Sequence, residues 1–101
     1  MLSTLEYLEK DIETKAVKIL KENIKEEIDL IYKVMAITTN KDLANNCISS
    51  IKSNERLITI IDSCKDNLKD IRPVLSEEYT EMLDIIKLQV IDKIVNGIEL
   101  K

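Results

Sequence analysis

Residues 5–37 read LEYLEKDIETKAVKILKENIKEEIDLIYKVMAI, a run with no glycine and no proline. Within it Leu5, Leu8, Ile12, Ala16 and Ile19 recur at gaps of three and four, the spacing that aligns one face of an α-helix. A second, rotated stripe continues as Val17, Leu20, Ile24, Ile28, Ile31 and Met35. Just upstream, Ser3 and Glu6 have the spacing of a capping box, with Leu2 placed to pack on Tyr7 as a hydrophobic staple. Downstream, Thr38 and Thr39 are β-branched, and Asn40 is a good N-cap for whatever follows. The stretch therefore predicts one helix from Ser3 to Thr38, roughly 54 Å long if unbroken.

The same reading extends outward. Ala44, Cys47, Ile51, Ile58, Ile61, Cys64, Leu68 and Ile71 give a second helix with one seam position missing, where Asn54 stands. Either Asn54 is an enclosed polar residue that fixes register, or Ser53-Asn54-Glu55 breaks the helix. Pro73 ends the segment, because it lacks an amide hydrogen and disfavours helical geometry at Arg72. Ser76 then caps a third helix with the stripe Tyr79, Met82, Leu83, Ile86, Val90 and Ile94, and Gly97 after Asn96 is the expected left-handed stop. There is no internal repeat and no linker. The expectation is a single all-α domain over residues 1–101: an antiparallel bundle of three helices of decreasing length, completed by dimerisation.

Composition agrees with one such domain. The chain has 101 residues, 45% of them hydrophobic and 34% charged, a globular balance rather than a disordered one. Seventeen isoleucines and twelve leucines supply the core. One glycine and one proline are too few for a β-sandwich or barrel that must turn every ten residues or so. The longest uninterrupted apolar run, Val34 to Ile37, is far short of the ~20 residues of a membrane span. No signal peptide is recognisable at the N-terminus, so the expectation is a soluble, cytoplasmic protein without membrane attachment.

The chemistry is sparse. Histidine, tryptophan and phenylalanine are absent, which removes the commonest general base, a common metal ligand and two aromatic stacking platforms. Asp62, Asp66 and Asp70 are four apart and would share one helical face, where Lys65 and Lys69 can pair with them; a solvated face explains them better than a cation site. Glu77, Glu78 and Glu81 fall in the first turns of the third helix, where negative charge offsets the helix dipole. Cys47 and Cys64 have neither a Cys-x-x-Cys spacing nor a histidine beside them and read as reduced core residues. A single glycine rules out a glycine-rich phosphate loop. All-helical chorismate mutases also have a long first helix, but they clamp a dicarboxylate with several arginines; this chain has only Arg56 and Arg72, so that likeness is rejected. No catalytic residue, cofactor or metal is expected, and the chain is not read as an enzyme.

What stands out is surplus apolar surface. Helix 1 carries Leu30, Val34 and Ile37 beside its main stripe, and helix 3 carries Ile85, Leu88, Ile91 and Val95. A helix in a three-helix monomer needs one apolar stripe. A third helix of roughly 30 Å also cannot cover a hairpin about 45–54 Å long. These seven residues are the candidate self-interface. The function expected is protein–protein interaction, as an adaptor, regulator or inhibitor that forms a homodimer and binds a protein partner. The alternative is a nucleic-acid-associated regulator using the ridge Lys15, Lys18, Lys21 and Lys25, although Glu22 and Glu26 interrupt it and no aromatic residue interleaves.

Overall fold

A computed structural model describes the backbone of residues 4–65 and 67–99 and the side chains of 6–65 and 67–96. Four helices follow one another: α1 (Thr4–Ile37), α2 (Lys41–Ser63), a one-turn α3 (Leu68–Ile71) that runs into a 3₁₀ turn (Arg72–Val74), and α4 (Glu77–Glu99). There is no strand among the described residues. The expected capping box and staple at Leu2 and Ser3 lie outside the described residues.

The first turn forms as its residues require. Asn40 leaves helical geometry (φ −85°, ψ 115°), and its side-chain oxygen accepts from the amides of Asp42 and Leu43 at 2.9 and 3.2 Å. Two of the four orphan donors of α2 are thereby satisfied. At the start of α4, Ser76 Oγ accepts from the Tyr79 amide at 3.3 Å, as its cap position predicts.

Two boundaries differ from expectation. The second helix is broken, and not at Asn54: α2 passes through Ser53-Asn54-Glu55 without interruption and stops at Ser63. Lys65 then takes a positive φ of 52°, which turns the chain out of the helix, and Asn67 caps the new turn by accepting from the Lys69 amide at 3.0 Å. The bundle is thus three long helices plus a short one in the connection between α2 and α4. The other difference is at Gly97, where no glycine has a positive φ and α4 continues to Glu99. Glycine permits the left-handed turn without imposing it, and within a helix it costs only about 1 kcal/mol relative to alanine.

Cross-helix contacts fix the directions. Lys21 of α1 reaches Asp62 of α2 at 2.9 Å, whereas Glu27, six residues further along α1, shares a network with Asn54, eight residues earlier in α2; these two helices are antiparallel. Glu27 also meets Tyr79 of α4, and Asn23 meets Met82, so α4 is antiparallel to α1 as well and runs the same way as α2. α1 is the shared partner of both. The core follows the sequence stripes closely: Ala16, Val17, Leu20, Ile24 and Ile28 of α1, Ile51 and Ile61 of α2, Leu68 and Ile71 of α3, and Leu83, Ile86 and Val90 of α4 form one cluster.

The molecule is a thin rod. Its extents are 55 × 30 × 18 Å and its radius of gyration is 16.8 Å, where a compact domain of this length would have about 13 Å. The cause is a stagger: α2 and α4 are 23 residues each, not of decreasing length as expected, and lie offset along the 34 residues of α1. α4 begins level with Glu27, while α1 continues ten residues to Ile37, about 15 Å further. Beyond Glu27 the bundle is only the α1–α2 hairpin.

Candidate interaction surface

All seven surplus apolar residues are exposed. On α4 they are Ile85, Leu88, Ile91 and Val95, with Leu88 the most open at 67%. Leu83, Ile86 and Val90 of the same helix are buried against the core. At 100° per residue, Leu88 points about 160° away from Ile86 when taken the short way round. Ile85, Leu88 and Val95 therefore form a stripe on the side of α4 turned away from α1, with Ile91 at its edge beside Ile12, and the helix is apolar on two opposite sides.

The three on α1 have a different origin. Leu30, Val34 and Ile37 lie eighteen residues, about five turns, beyond Ile12, Ala16 and Ile19 respectively, and so repeat the same face. Lower down, α4 covers that face: Ile19 shares a cleft of about 460 Å³ with Val90 and Ile94, and Ile12 shares another with Ile91. Above Glu27 there is no α4 to cover it, and Leu30 and Ile37 are 60% and 82% exposed. The seven residues thus belong to two surfaces, the outer side of α4 and the uncovered end of the hairpin. Sequence spacing showed both sets but not that they are separate, because the level at which α4 starts depends on the turn at Lys65.

The lysine ridge is partly occupied. Lys15 pairs with Asp11 at 2.9 Å within α1, and Lys21 pairs with Asp62 at 2.9 Å across to α2. Lys18 and Lys25 make no ion pair among the described residues and point to solvent. Across the α1–α4 cleft, Lys93 joins Lys15 and Lys18 around an apolar floor, with Glu22 as the opposing charge.

The acidic triplet is dispersed. With α2 ending at Ser63, Asp62 and Asp70 are on different elements and do not share a helical face; Asp66 lies outside the described residues. Among the described residues no three cysteine, aspartate or glutamate side chains are grouped to hold a metal ion. Arg72, one of the two arginines, is tied to Asp84 at 2.9 Å. Cys47 is buried, Cys64 is half-buried, and both are free thiols. They sit at opposite ends of an uninterrupted helical stretch, roughly 25 Å apart by helical rise and too far for a bridge.

One polar junction was half legible. The Tyr79 hydroxyl donates to Glu27 Oε2 at 2.5 Å and stands 3.2 Å from the Asn54 side-chain amide, joining α4, α1 and α2 at one point. Burial, then the hydrogen bond to Glu27 and the charges of Glu27 and Glu78, hold the phenol well above the usual tyrosine range. Asn54 is thus a half-buried polar residue bonded across the bundle, neither fully enclosed nor a helix breaker. Its partners were not foreseen, since nothing in the spacing of Glu27 or Tyr79 marks them as a pair.

Comparison with protein-family models, with curated proteins and with solved structures gives no match. No helix among the described residues is long and apolar enough to cross a membrane.

Proposed function

We propose that this protein works by binding other proteins, as an adaptor, regulator or inhibitor, and that it associates with itself to form a homodimer. The observation that carries the reading is the second apolar side of α4, where Ile85, Leu88, Ile91 and Val95 stand 38–67% exposed on a helix whose opposite side already fills the core. Fully burying one Leu or Ile is worth ~1.5–3 kcal/mol relative to exposure. Four such residues on each of two chains reach the ~4–15 kcal/mol that association costs, even after a discount for partial burial. The commonest way to pair a patch with itself is a two-fold axis. The reading assigns no catalytic step, cofactor or metal. A cytoplasmic location belongs to the same proposal and is supported by the two free thiols.

Light scattering at micromolar concentration tests it. The expected mass is twice the 11.6 kDa of the chain. Leu88→Lys is expected to give a monomer with unchanged helical content, because residue 88 points away from the core. A monomeric wild type defeats self-association, and a Leu88→Lys chain that unfolds puts residue 88 in the core instead.

A nucleic-acid-associated regulator is the second reading. It is favoured by the basic rim of Lys15, Lys18 and Lys93, which brings α4 into a ridge first seen on α1 alone. Retention on a heparin or DNA column that falls steeply with salt would select it over the first.

A further inference from the structure

Resting on the self-association reading above, we infer that α4 pairs in parallel and in register with α4 of a second copy, about a two-fold axis running along the helix. Three of the four exposed residues have heptad spacing, and Ile85 stands beside them at an e position. With Leu88 at an a position, Ile91 is d and Val95 the next a, the seam of a two-helix coiled coil. The residues beside the seam then decide the direction. Lys87 falls at g and Asp92 at e, one on each flank of Leu88 and Ile91. In a parallel pair the g residue of one helix faces the e residue five positions on in the other, so Lys87 of each copy meets Asp92 of its partner, twice over. An antiparallel pair sets each flank against its own kind and brings lysine towards lysine and aspartate towards aspartate. Opposite charges favour the first arrangement and oppose the second.

Both ions are available for this. Lys87 lies on the flank nearer Glu9 and Glu13 of α1 but makes no ion pair with them. Among the described residues Asp92 accepts only the Asn96 side-chain amide, at 3.2 Å. The seam is short by construction. The preceding a and d positions are Glu81 and Asp84, and Asp84 is already held by Arg72 at 2.9 Å, so the two helices part on the N-terminal side of Leu88.

Charge exchange on the full chain tests the direction, with sedimentation equilibrium as the readout. Lys87→Asp and Asp92→Lys are each expected to raise the dimer dissociation constant about tenfold, from two lost pairs and two new repulsions. The double variant is expected to return to within about twofold of wild type. Val95→Cys in a Cys64→Ser background adds an independent readout. A parallel in-register pair brings the two 95 positions within the ~7 Å that a disulfide allows, whereas an antiparallel pair centred on the stripe separates them by roughly 15 Å. Oxidation should therefore yield a covalent dimer. A dimer with neither recovery in the double variant nor a 95–95 bridge overturns the inference and leaves self-association standing. A mass of three or more chains overturns it as well, and a wild type monomeric up to about 0.2 mM removes both. Unchanged circular dichroism of every variant shows that the comparison is between folded chains.

Discussion

Tyr79 joins three helices through one hydroxyl, and its proton is part of the joint. The phenol is held above the usual tyrosine range by burial, by Glu27 and by Glu78. The folded chain therefore keeps that proton at a pH where the unfolded chain, titrating near 10, has begun to lose it. The stability gained is present in full below pH ~10 and is lost as the pH climbs through the tyrosine range. Tyr79→Phe should cost about 1–2 kcal/mol at pH 7, from the lost charge-assisted hydrogen bond. The difference from wild type should shrink when urea unfolding is repeated at pH 10.5. A difference that stays constant between the two pH values would mean that the hydroxyl does not carry the linkage. Asn54, read from the sequence as either register-fixing or helix-breaking, turns out to be the third member of this junction. The apolar spacing on both sides of it was intact, and a residue that interrupts a seam without interrupting its period belongs inside the helix.

At the scale of elements, the same criterion fails once, and instructively. Ile61, Cys64, Leu68 and Ile71 keep gaps of three, four and three, so the period runs straight through the place where α2 ends. The signal lay in cap chemistry instead. Asn67 stands before Leu68 as Asn40 stands shortly before Leu43, and both accept from amides of the turn that follows. The positive φ at Lys65 left no trace in the sequence, because lysine is not a residue that asks for it. The apolar residues nevertheless reach the core from their new element. Ile71 is fully buried and Leu68 nearly so, although α3 is a single turn. Ile71→Ala is accordingly expected to cost about 2–5 kcal/mol in chemical denaturation, as much as a core position in a long helix. A loss below ~1 kcal/mol would show that α3 is loosely attached. Core membership was thus legible almost residue by residue, while the boundary that sets the level of α4 was not.

For the whole molecule, that boundary decides the shape. The reversal at Lys65 and the short α3 return the chain only as far as the level of Glu27 before α4 sets off, so the far end of the hairpin is left two helices thick. Length arithmetic alone showed that a third helix would fall short; which end it would miss needed the turn. Amide hydrogen exchange offers a direct view of the consequence. Protection is expected to be greatest in α1 residues 16–28, where α2 and α4 both pack, and to be lower in 30–37 and 41–50, with exchange there rising with urea but less steeply than in global unfolding. Equal protection along α1 would show that the hairpin alone is as secure as the bundle. Stability in this protein is therefore graded along its axis rather than shared evenly. The α1–α2 end can open and close as a unit of its own while the three-helix middle stays folded, and thermal unfolding should reach that middle last.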